Sequence, residues 1–207
     1  MTRMSIFIRS LTAAALLAAT SCGTAVRTGS SSMFLSIDTL AGSRGAASPG
    51  QPTSNLASDV LTLITSGGTC TQVNPCPTVF TDTGSATLRL VPKNPTGPAP
   101  SSTNDVTITR VHIAYNRTDG RNTPGVDVPF PFDASVTATV PASGSAIVGF
   151  ELVRIQAKEE PPLVQLVNNR QTIGAAAEIT FYGQDRAGNA ISATGSLQIE
   201  FSNFGDF

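Results

Sequence analysis

Histidine occurs once in this chain, at His112, and tryptophan not at all. A single histidine excludes a histidine-rich metal site. Any Ser-His-Asp triad would have to be built around His112 alone. The Gly-x-Ser-x-Gly elbow that presents the serine in many hydrolases is missing. Charged residues make up 13% of the chain, against about 25% in ordinary soluble domains. The formal net charge of −1 offers no basic surface to hold nucleic acid. The apolar run Leu11 to Ala19, broken only by Thr12, is far shorter than the roughly 20 residues of a spanning helix. A transmembrane anchor is therefore not expected there.

Glycine, proline, serine and threonine are abundant instead, which suits short strands joined by polar turns rather than helices. The 207 residues suffice for one well-buried core. In "SATLRLV", Ala86, Leu88 and Leu90 alternate with Ser85, Thr87 and Arg89. "AEITFYG" sets Ala177, Ile179 and Phe181 against Glu178, Thr180 and Tyr182. "ISATGSLQIEFS" keeps Ile191, Ala193, Leu197, Ile199 and Phe201 in one phase. Alternation with period two marks a strand with one buried and one wet face, the habit of antiparallel sheets.

Two runs change phase. In "DVTITRVHIAY", Val106 and Ile108 precede Val111, Ile113 and Tyr115 of opposite parity. In "IVGFELVRIQAK", Val148, Phe150 and Leu152 give way to Val153 and Ile155. A bulge in each would restore one buried face. The second run also fits a helix by periodicity, but its glycine-rich approach and the Pro161-Pro162 stop favour a strand. Further strands are expected at 33–40, 59–65, 126–130 and 136–140, with loops at 42–58, 92–104 and 117–125. The sum is about nine strands and no long helix, an all-β sandwich or barrel.

The N-terminus opens on Arg3 and Arg9, followed by the apolar run and then Thr20, Ser21 and Cys22. This is the layout of a secretory signal. Ala19-Thr20-Ser21-Cys22 resembles the lipobox of bacterial lipoproteins, although alanine stands where that family prefers leucine. The resemblance implies a signal peptide over 1–21, lipid attachment at Cys22, and a lipid-anchored protein of the bacterial cell envelope. Gly23, in place of aspartate after the cysteine, implies the outer membrane. Residues 22–32 are small and polar and read as a flexible tether, with one domain over 33–207.

Cys70 and Cys76 lie in "TCTQVNPCPT". In an exported protein such a pair is expected to form a disulfide. The alternatives, a zinc site or a redox pair, would call for more ligands or a Cys-x-x-Cys spacing. "YGQDRAGNAIS" places Asp185, Gly188 and Asn189 between the last two strands. There Gly and Asn tolerate positive φ and Asp can bond the turn amides. This turn resembles the Asp-x-Ala-Gly-Asn hairpin of bacterial immunoglobulin-like and cadherin-like extracellular modules. The resemblance implies an immunoglobulin-like antiparallel β-sandwich with long loops. Asp185 lacks a local acidic partner, so it reads as turn chemistry and not as a calcium ligand.

No catalytic residue stands out. By parity His112 faces outward beside Arg110 in its strand, Glu159-Glu160 reads as a polar corner, and the sequon at Asn116 has no role in a bacterial lipoprotein. The expectation is a non-enzymatic binding or structural module without cofactor or metal. It would be held to the membrane through its lipid and partnered by another protein or a glycan. The alternative is an envelope hydrolase on a β-sandwich, which would need a pocket with converging titratable groups.

Overall fold

The computed structural model describes residues 31–46, 49–169 and 171–204. The signal-like segment 1–21, Cys22 and tether residues 23–30 lie outside the described residues. A three-stranded sheet orders β1 (Met33–Ser43), β5 (Asp82–Pro92) and β8 (Ser145–Val153). A five-stranded sheet orders β2 (Asn55–Asp59), β10 (Ala190–Ser202), β9 (Ile173–Asp185), β6 (Val106–Arg117) and β7 (Phe132–Val140). β3 (Thr62–Ile64) and β4 (Cys76–Thr78) form a small separate ladder. The helix α1 (Ile155–Glu159) and 3₁₀ turns at Ser102–Asn104 and Leu163–Asn168 complete an all-β chain.

β9 shows why these residues make strands. Ile173, Ala175, Ala177, Ile179 and Phe181 all point inward and are buried, while Glu178 faces water. From the facing sheet, Phe150 meets Phe181 edge-on, their ring centroids 5.4 Å apart. The Tyr115 hydroxyl donates to the Leu152 carbonyl at 2.6 Å, a second tie between the layers. β9 and β10 pair antiparallel across the expected turn, where Gly188 has φ +85°. Asp185 Oδ1 accepts from the amides of Ala187 at 3.0 Å and Asn189 at 2.9 Å. Ile179, Phe181, Leu197, Ile199 and Phe201 share one core, as the alternation requires.

The expected bulge in β6 is present. Its register with β9 slips between Ile108 and Arg110, so Thr109 is the extra residue against that strand, while on the other edge β7 carries the extra residue, with Val136 and Thr137 facing Thr109. Val106 and Ile108 before it and Val111, Ile113 and Tyr115 after it are thereby all buried. In β8, Glu151 and Val153 pair with successive residues of β5, and Leu152 is the extra one.

Other expectations need correction. The strand through "IVGFELVRIQAK" ends at Val153, and Ile155–Glu159 coils into α1. The adjacent residues Ala157 and Lys158 are both buried, which a helix pointing its side chains into a corner allows and alternation does not. Residues 126–130 are loop: Val126 and Phe130 are exposed, and the adjacent Val128 and Pro129 are both buried, which alternation does not allow. The segment 59–65 is not one strand. β2 ends at Asp59 in the large sheet, and β3 begins at Thr62 in the small one. β2 also runs parallel to β10, so the pairing is not antiparallel throughout. Cys70 and Cys76 are bonded, their Cα atoms 5.3 Å apart. The folded body starts ahead of Met33: Ser31 is buried, and the Ser32 carbonyl accepts from the Lys93 amide at 2.9 Å.

Phe181→Ala and Phe201→Ala should each cost roughly 3–5 kcal/mol in chemical denaturation, whereas Glu200→Lys on the wet face should leave the midpoint nearly unchanged. Gly188→Val should destabilise through its backbone alone, since a side chain there meets nothing within 4 Å. Gly183→Ala should be the worse of the two, because its Cβ would stand 2.5 Å from the Thr107 carbonyl oxygen.

Candidate functional site

Two polar clusters stand out, one on the surface and one sealed inside. The surface cluster lies on the outer face of the five-stranded sheet. The bulge at Thr109 sets Arg110 and His112 outward on β6, directly opposite Ser135 and Asp133 of β7. Arg110 Nη1 donates to Asp133 Oδ1 at 2.8 Å, and His112 Nδ1 lies 3.2 Å from the same oxygen. The Arg110 guanidinium stacks over the ring of Tyr182 on β9, 3.9 Å from its centroid. One register step along, Thr180 and Thr194 share a hydrogen bond of 2.9 Å. Proximity to the sheet pushes the Asp133 carboxyl up, but the bonds from Arg110 and His112 outweigh this and hold it below its ordinary range.

The result is a pre-set polar patch on a rigid surface: a flat cation over an aromatic ring, a carboxylate, an imidazole and a row of hydroxyls. His112 and Asp133 supply two members of a triad. Among the described residues no serine or threonine hydroxyl bonds to His112, and nothing completes the relay. An open groove of about 290 Å³ runs beside Tyr182, past Thr109, Gln184 and Ile191.

The buried cluster closes the opposite end of the sandwich. Lys158 of α1 and Asp82 of β5 are paired with Nζ–Oδ1 2.9 Å, and both side chains have zero exposure. Lys158 Nζ also donates to the Phe80 carbonyl at 2.8 Å. Asp82 Oδ1 accepts from the Gly45 amide at 2.8 Å, and Oδ2 from the Ser58 hydroxyl at 2.5 Å. Beside them Asp59 pairs with Arg44 and accepts from the Phe204 amide at 3.0 Å. Burial pushes the Asp82 carboxyl up and the Lys158 ammonium down, each against the pull of the other's charge.

Asp185, Gly188 and Asn189 come together as the hairpin turn, and Cys70 with Cys76 as a disulfide. His112 faces outward, as its parity requires, and Glu159 and Glu160 are exposed at the C-terminal end of α1. Cys22 lies outside the described residues. The proline-rich loop walls an open groove of about 350 Å³ lined by residues such as Pro98, Pro100, Ser101 and Asn104, with no carboxylate among them. In the 117–125 loop Asp119 is held between Arg117 at 2.6 Å and Arg121 at 2.8 Å. Among the described residues no three His, Cys, Asp or Glu side chains converge to hold a metal.

Sequence reasoning missed Lys158, Asp82, Ser58, Asp59 and Arg44. One signal was available: Asp82 shares the inward phase of Ala86, Leu88 and Leu90, so a carboxylate on that phase demands a buried partner.

Lys158→Ala should cost roughly 3–5 kcal/mol, because it strands a buried carboxylate. Lys158→Met combined with Asp82→Leu should unfold at higher urea than Lys158→Ala, because no buried carboxylate is left unpaired. Asp185 carries a second, pH-dependent term. Desolvation raises its pKa, but the bonds from Asn189, Ser31 and Ala187 outweigh that and leave it lowered. Its contribution is therefore complete above the unfolded carboxylate value, about 3.9, and is lost as pH falls through the folded one. Asp185→Asn should flatten the acid limb of a stability–pH profile. Against known proteins the chain matches no family model and no curated protein, which leaves its own geometry as the ground for a functional reading.

Proposed function

We propose that this chain is a lipid-anchored bacterial envelope module of immunoglobulin-like fold. It binds a protein or glycan partner without catalysis, through the outer face of its five-stranded sheet. The observation that carries the binding reading is the Arg110–Tyr182–Asp133–His112 cluster. Arg110 and Asp133 are exposed and His112 and Tyr182 half-buried, and all four are fixed by one another and by the ladder beneath. Preorganised polar and aromatic groups on a rigid sheet lose little freedom on association.

The strand order supports the immunoglobulin-like reading. Taking β1, β5, β6, β7, β8, β9 and β10 as A, B, C, C′, E, F and G gives neighbours A-B-E on one sheet and G-F-C-C′ on the other. β2 then adds a parallel edge to G. The anchor rests on Arg3, Arg9, the apolar run and Ala19-Thr20-Ser21-Cys22. Several acyl chains at Cys22 would hold the module stably, as one alone does not.

Intact mass of the membrane fraction should show a chain beginning at Cys22 and heavier by acyl groups, and Cys22→Ser should release a folded domain into the soluble fraction. A soluble, unacylated product would overturn the anchor. For the binding face, a photoreactive residue at position 192, paired with Tyr182 in the ladder, should form adducts in intact envelopes. The same group at position 87, on the other sheet, should not. Arg110→Ala and Tyr182→Ala should diminish the adducts at 192, and adducts indifferent to both substitutions would rule this face out.

A further inference from the structure

We propose that Lys158 and Asp82 are joined by an amide bond that forms inside the folded domain, a covalent cross-link between α1 and the first residue of β5. The inference is independent of what the exposed face binds.

The pair is placed for this reaction. Lys158 Nζ stands 2.9 Å from Asp82 Oδ1, so the carboxyl carbon is within one further C–O bond length of the nitrogen. Neither side chain has any exposed surface. Keeping both as ions would cost several kcal/mol of desolvation each before their attraction is counted. Passing one proton along the existing hydrogen bond gives a neutral amine and a neutral carboxylic acid, the reactants of a condensation. Burial acts on both groups in that direction.

The Nζ lone pair then forms a bond to Cγ. Two donors already aim at the oxygens where negative charge collects: the Gly45 amide at 2.8 Å from Oδ1 and the Ser58 hydroxyl at 2.5 Å from Oδ2. Fixed donors of this kind stabilise a tetrahedral centre without reorganisation. The negative charge of Asp59 acts on Lys158 and favours the positive charge that develops on Nζ as the bond forms. The proton from nitrogen moves to the departing hydroxyl oxygen, the C–O bond breaks, and one water leaves. Nothing is oxidised or reduced, and no co-reactant is needed. Proximity of this kind is worth effective concentrations of about 10⁵–10⁸ M, and the sealed site holds no bulk water to reverse the step.

The test is a peptide map of the full chain, purified, denatured, reduced and digested with trypsin. Residues 45–89 and 155–170 contain no lysine or arginine before their ends other than Lys158. The expected product is one branched species containing both segments, uncut after Lys158, and one water lighter than their sum. Fragmentation should place the branch at Asp82 and Lys158. Asp82→Ala should abolish the branched species. Asp82→Asn should restore it with loss of ammonia in place of water. Release of 155–158 as a free peptide together with unbranched 45–89 from the unaltered protein would overturn the proposal, and so would a branched species that survives Asp82→Ala.

Discussion

β9 is hydrogen-bonded along both edges, to β6 on one side and β10 on the other, and the rest of the fold takes its register from that strand. Its inward row of Ile173, Ala175, Ala177, Ile179 and Phe181 faces the smaller sheet, and Phe150 reaches across to close on Phe181. A slip of one residue would turn that row to water and bring Glu178 and Thr180 inside. Two features hold the register. At one end the Asp185 turn pins β9 to β10. In the partner β6, the extra residue Thr109 brings two apolar runs of opposite parity onto the same face. The same extra residue turns Arg110 and His112 outward, and an extra residue in β7 at the same level brings Asp133 opposite His112, so the core constraint and the exposed cluster share this irregularity.

Charge is scarce in this chain, yet some of it is spent inside. Lys158, Asp82 and Asp59 are all fully enclosed. Apolar side chains alone would close this end of the sandwich with less desolvation cost. The polar alternative joins chain segments that are far apart in sequence: the end of β1, the end of β2, the start of β5, α1 and Phe204. Its bonds are directional, so they fix where each segment ends. A greasy plug would not.

Much of the sheet structure was legible because one face is wet and the other dry, which writes period-two alternation directly into residues 173–202. Both phase changes were readable as bulges for the same reason. The parallel strand β2 was not, since "NLASD" is short and sits among turn residues, and its partner lies at the other end of the chain. α1 was hidden because Val153 and Ile155 continue an apolar run, and nothing local announces that Lys158 has a carboxylate waiting 76 positions earlier. Of the exposed cluster, the sequence placed Arg110 and His112 on one face. The ring of Tyr182 and the carboxylate of Asp133 reach them only through strand pairing.

Ser31 bonds to Asp185 at the hairpin turn, and β1 then carries the chain the full length of the sandwich to Arg44, where Phe204 also docks. The two ends of the described chain therefore emerge at opposite poles. A load applied between them runs along the strands, not across them. The ladder of β1 against β5 and of β2 against β10 then shares the load over many bonds at once, so the domain resists pulling as a lap joint does and not as a zip.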